Sequence, residues 1–121
     1  MTQGTFLRSP WSVAVTIPDT EDTGSPVSLE GASFGGIFAE ASFDGSSLTW
    51  EVTHYTDKDP DPDNWDWFDA TDGLGSPLTT QLSAGDYAPL PPELFGARYV
   101  RAVASGVQST GDGVIIFYLV G

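Results

Sequence analysis

Asp57, Asp59, Asp61 and Asp63 alternate through the stretch DKDPDPD, and carboxylates gathered on a tight loop are what a hard cation such as calcium binds. Two features weigh against that chemistry. An EF-hand loop needs glycine at its sixth position and a bidentate acid at its twelfth, where this chain has Pro62 and Phe68. The prolines also hold the segment extended, which splays the carboxylates. A solvated acidic loop is therefore favoured, and calcium is the one cofactor these residues leave open.

Trp65 and Trp67 follow that loop, with Trp50, Tyr55 and Phe68 nearby in sequence. Aromatic platforms flanked by carboxylates bind sugars, and the same rings also build β-sandwich cores. Trp50 shares a face with Leu48 and Val52, which assigns it to the core. Trp65 and Trp67 share a face with each other, and packing is favoured over a glycan platform for both.

Catalysis finds little to use. His54 is the only histidine and has no serine nucleophile at useful spacing on its strand. Carboxylate pairs able to cleave a glycoside arise by chance among seventeen acids. No glycine-rich phosphate loop precedes a helix, so no catalytic residue is assigned and a non-enzyme is expected.

The elements that would carry these residues are strands. In WSVAVTI, Trp11, Val13, Val15 and Ile17 alternate with Ser12, Ala14 and Thr16, the pattern of a half-buried strand. IFAEASF alternates too, and Asp44-Gly45 between it and LTWEVTHYT is a hairpin signal. PDTEDTGSP, DKDPDPDN and TDGLGSP read as loops, VSLEG and WDWFDA as short strands, and LTTQL as a strand with Leu78, Thr80 and Leu82 in register. SAGDYAPLPPELFG reads as irregular, ARYVRAVA as a strand, and VIIFYLV as a central strand buried on both faces. About seven to nine short strands with glycine and proline punctuation predict an antiparallel β-sandwich or jelly roll over residues 1–121, with a small β-barrel as the alternative.

The chain has 121 residues, enough for one core without staples. Its formal net charge of −13 includes only four Lys and Arg, which argues against nucleic acid and against anionic membranes, since both need clustered cations. Cysteine is absent, so there are no disulfides or thiolate metal sites. MTQGTFLRSPW lacks the layout of a signal peptide, and no apolar run approaches a membrane span.

Arg98 and Arg101 lie three apart and so point to opposite faces of a strand. One is expected to pair with an acid inside the chain, leaving the other for a partner. PLPPELFGARYVRAVASG and the preceding LTTQLSAGDYAPLPP, with an apolar final strand, resemble the C-terminal half of small virion structural proteins of tailed bacteriophages, including capsid decoration, or cement, proteins. The resemblance covers roughly residues 65–121. It implies a non-enzymatic sandwich on the capsid surface of a virion, seated between capsomers against the major capsid protein and stabilising the head. It also implies a homo-oligomer, with a trimer favoured. Under that resemblance Phe6, Leu7, Arg8 and Trp11, with residues 1–10 as an extended arm, and Arg98 or Arg101 would face the capsid. A glycan-binding module using Trp65 and Trp67, or a tail or baseplate accessory protein, are the alternatives.

Overall fold

The alternation in WSVAVTI becomes strand β1 (Trp11–Ile17) in the computed structural model, with Val15 and Ile17 buried and Ser12, Ala14 and Thr16 facing solvent. The structure describes residues 10–54 and 59–121. The strands that follow are β2 (Val27–Ser28), β3 (Phe34–Ala39), β4 (Ser47–Thr53), β5 (Phe68–Asp69), β6 (Thr79–Gln81), β7 (Tyr87–Pro89), β8 (Tyr99–Ala104) and β9 (Gly113–Val120). Short 3-10 turns at Pro62–Asn64 and Pro92–Gly96 are the helical elements among the described residues.

The strands form two sheets. The first has the order β1-β9-β3-β7, and the second the order β2-β8-β4-β5, with β6 also paired to β4. Every strand pair is antiparallel. The sheets form a sandwich, the predicted class, and neither closes into the alternative barrel. Their inner faces share one cluster that includes Ile17, Ile37, Leu48, Trp50, Val100 and Phe117. Trp50 meets Phe117 edge-on, with ring centroids 5.9 Å apart, so the two sheets are joined at their middle strands. Its indole N–H donates to Thr80 Oγ1 at 3.0 Å, which satisfies a polar group that burial would otherwise penalise.

The Asp44-Gly45 hairpin does not form. β3 and β4 lie in different sheets, and Gly45 lacks the positive φ that a type I′ turn requires. Asp44 is held by a distant loop instead: its carboxylate accepts from the N–H groups of Ser109 at 2.9 Å and Thr110 at 3.1 Å, and from the Thr110 hydroxyl at 2.9 Å. The strand read over residues 37–43 stops at Ala39, and Ala41 is exposed. The stretch read as irregular supplies an edge strand, β7, and a 3-10 turn that buries Leu94.

β9 is central, between β1 and β3, but only one of its faces is fully buried. Ile115, Phe117 and Leu119 enter the core, whereas Val114, Ile116, Tyr118 and Val120 are partly or largely exposed. No strand or helix covers that outer side among the described residues.

Candidate functional site

Arg101 stands opposite Glu51 in the β8–β4 ladder, on the outer face of the second sheet. Its Nε donates to Glu51 Oε1 at 2.6 Å, and its guanidinium lies 4.3 Å from the ring centroid of Trp67. The stack brings distant parts of the chain together. Trp65 and Trp67 are stacked at 6.0 Å, and Trp65 also meets Tyr99 at 4.9 Å. Both indole N–H groups donate within their own segment, Trp65 to Asp59 O at 3.0 Å and Trp67 to Pro62 O at 2.8 Å. Both rings are half-buried. The segment from Asp59 to Trp67 is thereby folded onto the sheet.

The aspartates of this segment serve local turns. Asp59 accepts from the N–H of Asp61 at 2.9 Å, Asp61 from the N–H of Asp63 at 3.0 Å, and Asp63 reaches Arg101 at 3.4 Å. Each proline frees the chain from one ladder hydrogen bond, and Asp59 and Asp61 each cap the residue two further on. No group of three or more His, Asp or Glu converges on a common point among the described residues. Asp57 lies outside the described residues, as do Phe6, Leu7 and Arg8.

Arg98 precedes β8 and donates to Glu30 Oε1 at 2.8 Å in an exposed pair. That hydrogen bond, and the charge of Glu30 with it, holds the guanidinium above its ordinary value. Both arginines therefore pair within the chain, where one had been expected to remain for a partner. Trp11 opens β1 at the edge of the first sheet, so it does not share a face with Arg101 on the second. His54 is exposed at the end of β4 and lines a shallow cleft with Asp69 and Glu93.

The outer face of the first sheet is different in kind. Alternation and register place Ser12, Ala14 and Thr16 of β1, the outward half of β9, Phe34 and Phe38 of β3 and Tyr87 of β7 on it. None of these residues is charged. Phe34 is 59% exposed, Tyr87 64% and Tyr118 42%, and Phe38, Tyr87 and Tyr118 border an apolar hollow of 420 Å³. Gly36 makes the hollow's shape, because a Cβ there would overlap the Tyr87 ring that lies across it. The sequence carried a signal for this face in apolar residues at both parities of β3 and β9, but that pattern reads equally as a strand covered on both sides.

A last position was invisible in sequence. Gln108 is 1% exposed, and its amide donates to Ser42 O at 2.9 Å and Gly111 O at 3.1 Å while its Oε1 accepts from Asp44 N at 2.8 Å. Its backbone joins the same junction, with Thr20 N donating to Gln108 O and Gln108 N to Glu21 O, each at 2.8 Å.

No family model matches the chain, and no curated protein does. Among solved structures, the fold is similar to the crystal structure of the SPBc2 prophage-derived protein YomS, with a TM-score of 0.53 and 14% identity over 93% of this chain and 96% of that one. At that identity the likeness establishes the shared fold over nearly the full length of both chains.

Proposed function

We propose that this chain is a non-enzymatic structural protein of a tailed bacteriophage virion, and that it decorates the capsid by seating the uncharged outer face of its first sheet against the major capsid protein. The observation that carries this reading is the face itself: a patch of exposed aromatic rings without a charge, in a chain of net charge −13. Exposed apolar patches of this kind mark interaction surfaces, and aromatic residues are enriched in them. The prophage origin of YomS supports the phage context, as does the resemblance of the C-terminal half. The carboxylates elsewhere keep densely arrayed copies from clumping.

Immunogold labelling of virions from the phage that encodes the chain tests the reading. Label distributed over the head is expected. Label confined to the tail or baseplate, or absent from intact virions, would contradict it.

A further inference from the structure

Among the described residues β1 is an outer strand of its sheet, pairing with β9 on one side only. Edge strands of natural proteins carry charges, prolines or bulges that stop them from adding further strands. β1 carries none of these. It runs in unbroken register from Trp11↔Leu119 to Ile17↔Gly113, with no charged residue in WSVAVTI. In a chain with seventeen acids, this edge is unguarded among the described residues.

We infer that β1 pairs antiparallel with β1 of a second copy about a two-fold axis at Ala14, joining the two first sheets into one continuous sheet. The self-pairing is sterically matched. Ala14 would face Ala14 of the second copy, Ser12 would face Thr16, Val13 would face Val15, and Trp11 would face Ile17. On the outer side the partners are small, and on the core side they are β-branched or aromatic, which favours cross-strand packing. No carboxylate meets another in the ladder, so the strong negative charge of each copy does not oppose the junction locally. Val13, half-buried, and Trp11, 37% exposed, are the core-side residues that pairing would cover.

Area supplies a second argument. Four strands at about 4.8 Å spacing and about 3.3 Å rise per residue give an outer face on the order of 400 Å², about half the surface that one partner contributes to a standard interface. Two copies joined at β1 present about 800 Å² of continuous uncharged face, which reaches that size. The two-fold pairing replaces the trimer that the resemblance implies. It does not depend on the identity of the surface that the face contacts.

The chain has no cysteine, so a single introduced thiol reports the register directly. Ala14→Cys would place two thiols directly opposite, at about the 4.5–5.5 Å Cα separation that suits a disulfide. Thr16→Cys would set its two thiols roughly four residues apart along the ladder, about 13 Å. The expected result is a species of twice the 12.8 kDa chain mass by light scattering for the full chain, rapid oxidation to a covalent dimer for Ala14→Cys, and little for Thr16→Cys. Ala14→Glu, on the solvent side of β1, should give a folded monomer. A monomer or trimer at every concentration, or equal cross-linking of the two cysteine variants, would overturn the pairing. Capsid attachment is read separately with the unsubstituted chain: a parent chain that is monomeric and still labels the head removes the pairing and leaves the functional reading standing.

Discussion

The guanidinium of Arg101 lies 4.3 Å from the ring centroid of Trp67 while its Nε holds Glu51 at 2.6 Å. One side chain thus ties the segment from Asp59 to Trp67 to the β8–β4 ladder. The ion pair is partly shielded, with side-chain exposures of 16% for Arg101 and 26% for Glu51, and a shielded charge-assisted hydrogen bond is stronger than a surface pair.

Arg101→Ala should therefore destabilise the fold by about 1–3 kcal/mol and alter tryptophan emission as the Trp67 indole loses its cover. A double-mutant cycle with Trp67→Ala should give a coupling of about 0.5–2 kcal/mol. Urea titrations of the four species measure it, and additivity of the two single changes would show that the stack contributes nothing.

Asp44 governs an acid-sensitive junction. The N–H of Ser109 and then the Thr110 hydroxyl hold its carboxyl below the usual value of 3.8. A carboxyl depressed in the folded state stabilises it above the unfolded value, and that contribution disappears as the pH falls through the folded value. Asp44→Asn should melt at a lower temperature than the parent at pH 7, with the gap narrowing below about pH 3.8. Parallel thermal melts from pH 7 to pH 2.5 check this, and a gap that widens on acidification would contradict it.

Gln108 connects the loops around Thr20, Asp44 and Gly111 from a fully buried position. Replacing it with alanine leaves the Ser42 and Gly111 carbonyls and the Asp44 N–H without their partner, at a cost of about 2–4 kcal/mol. Gln108→Glu should also destabilise, because the two carbonyls would then face an acceptor. Denaturant midpoints near the parent's would show that the junction adapts.

Gly36→Ala separates the docking face from the fold. The added Cβ displaces the Tyr87 ring, which is largely exposed and free to swing. Stability should change by less than about 1.5 kcal/mol, while head attachment should weaken at least several-fold. Unchanged attachment would show that the hollow beside Tyr87 plays no part.

The residues show why some of this was legible and some was not. Alternation in WSVAVTI and LTTQL set the inward faces of β1 and β6, because one side of each is buried, whereas in ARYVRAVA it marked a strand without deciding which parity of β8 faces inward. The shared side of Trp65 and Trp67 was legible from their spacing of two, although the strand in WDWFDA is confined to Phe68–Asp69. Their destination on Arg101 and Tyr99 was not legible, since that contact spans more than thirty residues. Asp44-Gly45 misled because the same dipeptide that closes a hairpin also serves a carboxylate that caps a remote loop. VIIFYLV misled because apolar residues on both parities look alike whether the outer side is covered by the same chain or left partly exposed.

Under the proposed function, the uncharged outer face of the first sheet attaches this protein to a phage head. Co-sedimentation of the purified chain with purified tailless heads of the phage that encodes it, beside a folded Tyr118→Asp variant, measures this directly. Saturable binding by the parent and loss of binding by Tyr118→Asp are predicted, and equal binding by both, or none by the parent, would contradict the account.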